Sequence, residues 1–205
     1  MSASGRPDPE QLLSLAQAGS GPALGQLLER YGAYLALLAR LQISRRLQGK
    51  VDAADLVQET FLEAHRSFAQ FRGTSEGELI GWLRQILVSR VMELIRRYLG
   101  TQRRNIRLER ALAVELDESS RVLDQGLLAS HGSPSQQAVR REQAVLLANA
   151  LEQLPADYRE VIILHHMEEL SWPEVARRLG RSVHSVEKLW ARALARLRRA
   201  LGGSP

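Results

Sequence analysis

Residues 171–199 read SWPEVARRLGRSVHSVEKLWARALARLRR. Ser171-Trp-Pro-Glu174 has the form of a capping box, with Pro173 tolerated in the first helical turn. The helix it opens runs over Trp172–Leu179, with Val175, Ala176 and Leu179 inward. Gly180 ends that helix, where a left-handed residue is needed and glycine carries no Cβ penalty. Ser182 caps a second helix whose apolar stripe is Val186, Trp190, Ala193 and Leu197. A small residue at Ala176 where the helices cross, a turn glycine, and an aliphatic anchor at Val186 make a helix-turn-helix.

The face opposite Val186 and Trp190 carries Arg181, His184, Ser185, Glu187, Lys188, Ala191 and Arg192. A helix N-terminus of this kind enters a major groove, where Lys and Arg read guanine edges and Ser or His reaches bases or phosphates. Arg196, Arg198 and Arg199, further along, are placed for phosphates. From Arg177 to Arg199 there are eight Lys/Arg and one acid, Glu187, a local charge of +7. The plain alternative is a helical hairpin with a solvated basic face; the paired caps, the turn glycine and the charge together favour duplex DNA.

Working outward, nearly every periodic segment reads as helix. In 23–41, Leu24, Leu27, Leu28, Tyr31, Leu35 and Leu38 recur at three- and four-residue steps. In 52–71, Leu56, Val57, Phe61, Ala64 and Phe68 do the same behind a candidate N-cap at Asp52. A third helix is expected from about Glu76 to Tyr98. Further helices are expected from Gln136 to Pro155 and over Ala156–Met167. No alternating strand pattern or hairpin dipeptide appears. The expected fold is therefore all-α: two small helical domains, over 20–100 and 136–201, joined by a flexible linker over 101–135. A partly helical or disordered extension over 1–19 and a disordered tail over 202–205 complete the chain. Within the linker, Leu108–Leu116 has the pattern of a helical turn or two.

A second basic block lies between Arg84 and Arg110, with eight Arg against Glu93 and Glu109. Arg84, Arg90, Arg96 and Arg97, with Trp82 and Tyr98, have the charge and stacking surface to hold single-stranded nucleic acid. The competing readings are a core Trp82 and a solvated arginine face. Between the two blocks, residues 111–135 are acidic, with Glu115, Asp117, Glu118 and Asp124 against Arg121. Asp55, Gln58, Glu59 and Glu63 lie near one side of the 52–71 helix, opposite its apolar stripe, and mark an exposed face or a protein partner.

Composition narrows the function classes. The 205 residues carry 28 Lys+Arg against 23 Asp+Glu, and only Lys50 and Lys188 are lysines. With no cysteine, disulfides, thiolate zinc sites and Cys nucleophiles are excluded. No apolar run approaches the roughly 20 residues of a membrane span, and no signal core opens the chain, so no membrane insertion and a cytoplasmic location are expected. No phosphate-cradling glycine loop, nucleophile elbow or zinc-protease run is present. The adjacent His165-His166 would point in different directions on an α-helix. No catalytic residue, metal site or cofactor is expected.

Three runs carry a family resemblance. Asp55-Leu-Val-Gln-Glu-Thr-Phe-Leu62 resembles a core motif of sigma region two in the extracytoplasmic-function group of bacterial RNA polymerase sigma factors. Trp82-Leu-Arg-Gln-Ile86, leading to Glu93 and Arg96-Arg97, resembles the helix of that family that meets the minus-ten promoter element. Leu154-Pro155, then Arg159-Glu-Val-Ile162 and the helix-turn-helix, resembles region four, which reads the minus-thirty-five element. Ser89 and Glu93 stand where the family commonly has Asn and Asp, and Arg181 stands where a small or aliphatic residue is common.

The resemblance implies a polymerase-binding face at Asp55, Gln58, Glu59 and Glu63. It implies melted-strand contacts from Arg84, Ser89, Arg90, Glu93, Arg96 and Arg97. Duplex contacts would come from Arg181, His184, Ser185, Glu187, Lys188, Arg192 and Arg196. The implied partners are core RNA polymerase, promoter DNA and, as a further candidate, an anti-sigma protein. The acidic linker resembles the connector that threads the polymerase channel. An autonomous helix-turn-helix regulator, binding duplex DNA as a dimer, is the alternative.

Overall fold

The computed structural model describes residues 8–46, 52–99 and 134–202. The chain divides into two compact units, the first holding 8–99 and the second 134–202 of the described residues. Secondary structure among them is helical, without a strand. The expected linker over 101–135 lies outside the described residues up to 133, as do Leu108–Leu116 and the last three residues of the tail. No helix among the described residues is long and apolar enough to cross a membrane.

The first unit contains α1 (Pro9–Gln17), α2 (Gly21–Arg46), α3 (Ala53–Ser67) and α4 (Glu76–Leu99). Part of the expected N-terminal extension is α1: Asp8 caps it by accepting from the Glu10 amide at 3.3 Å, and Leu12, Leu13 and Ala16 are buried. Helix α2 is buried along Leu24, Leu27, Tyr31, Tyr34, Leu35 and Leu38 and packs against α1, α3 and α4. The Asp52 carboxylate starts α3 by accepting from the Ala54 amide at 2.9 Å. A 3-10 turn over Phe68–Gln70 then ends it. Glu78 starts α4 from within, its carboxylate accepting from the amides of Thr74 (2.9 Å) and Ser75 (3.1 Å) and from the Ser75 hydroxyl (2.9 Å). Those donors hold the Glu78 carboxyl below its ordinary pKa. The Tyr31 hydroxyl donates to Glu76 at 2.9 Å and pins α2 to the start of α4.

The second unit contains α5 (Pro134–Glu152), α6 (Ala156–Ile162), α7 (Trp172–Leu179) and α8 (Val183–Ala200). Helix α5 begins at Pro134, two residues before the expected Gln136, because proline is tolerated in a first helical turn. The expected single helix over Ala156–Met167 instead widens to a π-helix at Ile163–Met167, with the Glu168 amide donating to the Ile163 carbonyl at 2.9 Å. Ala144, Leu147, Leu151, Val161, Leu164, Val175, Val186, Ala193 and Leu197 form the core, which α8 closes by packing on both α6 and α7.

Candidate nucleic-acid interface

The helix-turn-helix forms as read. Glu174 reaches back to the Ser171 amide at 2.9 Å and to its hydroxyl at 2.5 Å, which lowers the glutamate's pKa. Gly180 sits at φ 61, ψ 35, and the Arg181 amide donates to the Ala176 carbonyl at 2.9 Å, closing α7. Ser182 then caps α8, its hydroxyl accepting from the Ser185 amide at 3.3 Å. Val186, Leu189, Ala193 and Leu197 are buried. Trp190, expected in that stripe, lies at its half-buried edge and Leu189 takes the inner position.

His184, Glu187, Lys188, Arg192 and Arg196 are exposed along α8, while Ser185 is half-buried beside the cap. Arg181 is exposed and paired with Asp157 of α6, so this cation braces the turn to the preceding helix. Arg177 and Arg178, on the outer side of α7, are exposed and add to the same field; Arg178 lies 3.9 Å from Glu168. Sequence reasoning had not singled out that pair.

The π turn before the motif carries part of an aromatic cluster. His165 stacks on Trp172 with ring centroids 3.6 Å apart, and His166 lies 5.5 Å from Trp190. The two imidazoles are neighbours at 5.3 Å, and Trp172 and Trp190 meet edge to face at 5.5 Å. The two rings, expected to point apart, each lie nearest a different tryptophan yet remain neighbours within one cluster. His165 Nδ1 and the Leu170 carbonyl are 2.9 Å apart, which orients its ring. His166 is held below the ordinary imidazole pKa, first by burial and then by His165.

In the first unit, Asp55, Gln58 and Glu59 are exposed on the outer face of α3. Leu62 continues their stripe at the next helical step and is 58% exposed, an apolar residue in a polar face. Glu63 turns toward α4, where Arg90 lies 3.7 Å away and also donates to Glu93 at 2.9 Å. Sequence reasoning assigned Glu63 to a protein face and Arg90 and Glu93 to nucleic acid; the fold joins all three in one ionic group. Ser89 is exposed and donates to the Gln85 carbonyl at 3.0 Å. Arg84 and Arg96 are half-buried, and Arg97 is exposed. Trp82 is half-buried and packs on Phe71 at 5.1 Å and Phe68 at 6.1 Å. The Tyr98 side chain lies outside what the structure describes.

Residues 30–100 match Sigma-70 region 2, and residues 144–197 match Sigma-70 region 4. The chain is 31% identical to the sigma factor SigM of Mycobacterium tuberculosis (strain Erdman), over 94% of this chain and 84% of that protein. It is 32% identical to the RNA polymerase sigma factor CnrH of Cupriavidus metallidurans, over 93% of each. Identity to the sigma-E factor of Haemophilus influenzae is 29%, over 90% of each. The solved structure of CnrH with the cytosolic domain of CnrY covers 95% of this chain and 98% of that one, at 28% identity and a TM-score of 0.37.

Proposed function

Because the chain belongs to the extracytoplasmic-function group of RNA polymerase sigma factors, we propose that its two units divide promoter recognition as their surfaces suggest. The observation that carries this reading is the exposed, cap-initiated face of α8, with Lys188, Arg192 and Arg196 free of the core. That face takes the upstream element as duplex, base edges at its N-terminal end and phosphates further along.

The first unit docks on core polymerase through Asp55, Gln58, Glu59 and Leu62, with Glu63 at the edge of the contact. Leu62 supplies the apolar centre: burying an exposed leucine contributes roughly 1.5–3 kcal/mol. The arginines of α4 then hold the downstream element as a melted strand. With Trp82 half-buried against Phe68 and Phe71, capture of that strand rests first on charge from Arg84, Arg90, Arg96 and Arg97, with Ser89 and Glu93 on the same helix as polar contacts. No bond is made or broken by the chain: it acts by binding alone, without cofactor or metal, in the cytoplasm where the polymerase works. An anti-sigma protein would act by covering the α3 face or the α8 face.

The test is reconstitution with core RNA polymerase followed by promoter opening. Leu62→Ala is expected to weaken core binding about tenfold, the size of one exposed apolar anchor lost. Asp55→Ala, Gln58→Ala and Glu59→Ala combined should weaken it further. Tight duplex binding by the chain alone, as a dimer on a palindrome and with no affinity for polymerase, would instead establish the autonomous-regulator reading.

A further inference from the structure

The outward side of α8 carries more chemistry than charge. Val186, Ala193 and Leu197 point into the core. On the opposite side, His184, Lys188, Ala191 and Ala195 follow one another at three- and four-residue steps, all exposed. Glu187 stands beside Lys188 on that side, and Arg192, Arg196 and Arg199 border it. Among the described residues, the side chains of Glu187 and Lys188 have no hydrogen-bond or ion-pair partner.

Glu187 is the only acid between Arg177 and Arg199. Every phosphate of an approaching duplex repels it, so its presence on a DNA face opposes binding unless it meets a donor. In a major groove, the cytosine N4 amino group is the donor that a carboxylate accepts from. Lys188, unengaged and adjacent, matches the paired acceptors O6 and N7 of guanine. Ala191 lies in the middle of the face with no long side chain to hold the helix away from the groove floor. Its methyl is the size and character that packs on the C5-methyl of thymine.

We propose that α8 specifies its duplex through these three side chains: Glu187 selects cytosine, Lys188 selects guanine and Ala191 contacts a thymine methyl. Arg192, Arg196 and Arg199 hold phosphates and carry no sequence preference. The assignment rests on the region-four reading above and adds base identity to it.

The experiment uses holoenzyme assembled from core RNA polymerase and the full chain, presented with promoter fragments randomised across the upstream duplex. Wild type is expected to enrich cytosine, guanine and thymine at defined positions. Glu187→Gln should exchange the cytosine for adenine, the base a side-chain amide pairs with, by about tenfold at that position. Lys188→Ala should lose the guanine preference. Replacing the enriched thymine with uracil, which lacks the methyl, should weaken wild type a few-fold and leave Ala191→Gly indifferent. Because the last readout is a ratio within one variant, any loss of helix stability from glycine cancels, and circular dichroism confirms that the substituted chains fold. Unchanged enrichment in Glu187→Gln or Lys188→Ala, or an equal thymine-to-uracil ratio in wild type and Ala191→Gly, overturns the corresponding assignment. A wild-type holoenzyme that binds promoters but enriches no upstream sequence overturns the region-four reading itself.

Discussion

Gly180 and Gly73 are glycine for opposite reasons. At Gly180 the backbone is left-handed, φ 61, and a Cβ would stand in open space, so the cost of a side chain is conformational alone. Gly180→Ala is expected to cost about 1–2 kcal/mol, the usual penalty for a left-handed residue with a Cβ. Gly180→Asn should cost less, because asparagine visits that region more readily. Chemical denaturation of the full chain, followed by Trp172 and Trp190 fluorescence, checks both values. At Gly73 the obstacle is steric: a Cβ would lie 2.4 Å from the Phe71 ring and 2.8 Å from the Glu78 Cβ. Gly180 is legible in the sequence because its neighbours alone demand the turn. Gly73 is not, because the ring it would strike is placed by packing on Trp82.

The element that departs most from its sequence reading is the π-helix at Ile163–Met167. An extra residue in one turn is invisible to an apolar period, since Val161, Ile162, Ile163 and Leu164 are apolar in either geometry. Its consequence is chemical. The groups facing His166 are His165 beside it and Trp190 of α8, with Trp172 of α7 behind His165. Glu168, its side chain 7% exposed, follows on the same turn with Arg178 of α7 at 3.9 Å. Burial and His165 lower the His166 pKa, so folding favours the neutral ring. A group whose folded pKa is depressed contributes stability above its unfolded pKa, about 6.5, and loses that contribution as pH falls below it. Unfolding of the second unit should therefore occur at lower denaturant as pH drops from about 7 to about 5.5, and His166→Gln should flatten that slope. Glu174, whose pKa is lowered from 4.5, contributes only to a separate and more acidic window.

For the whole molecule, two basic surfaces on two units predict separable defects. Arg192→Ala should weaken holoenzyme binding to all upstream sequences alike and reduce the slope of log affinity against log salt by about 0.9, one phosphate contact. Base enrichment should not change, which separates this residue from Glu187 and Lys188; filter binding across a salt series measures the slope. Leu62→Ala, on the other unit, should act on polymerase binding and leave that slope unchanged.

The sequence by itself determined what near neighbours dictate. The helical periods, the caps at Asp52, Ser171 and Ser182, the Gly180 turn and the basic outer face of α8 all depend on residues a few positions apart, and the order of the family's motifs is read directly along the chain. The division of the candidate site into faces was legible only in part, since periodicity says which side of a helix is wet but not what stands opposite. Tertiary structure decided that Arg90 lies between Glu63 and Glu93, that Arg181 meets Asp157, that Trp82 rests on phenylalanines and that His165 and His166 share one aromatic cluster. Apart from the local Arg90–Glu93 and His165–His166 pairs, these contacts join different elements. Their partners are chosen by how helices pack, which a local pattern does not encode.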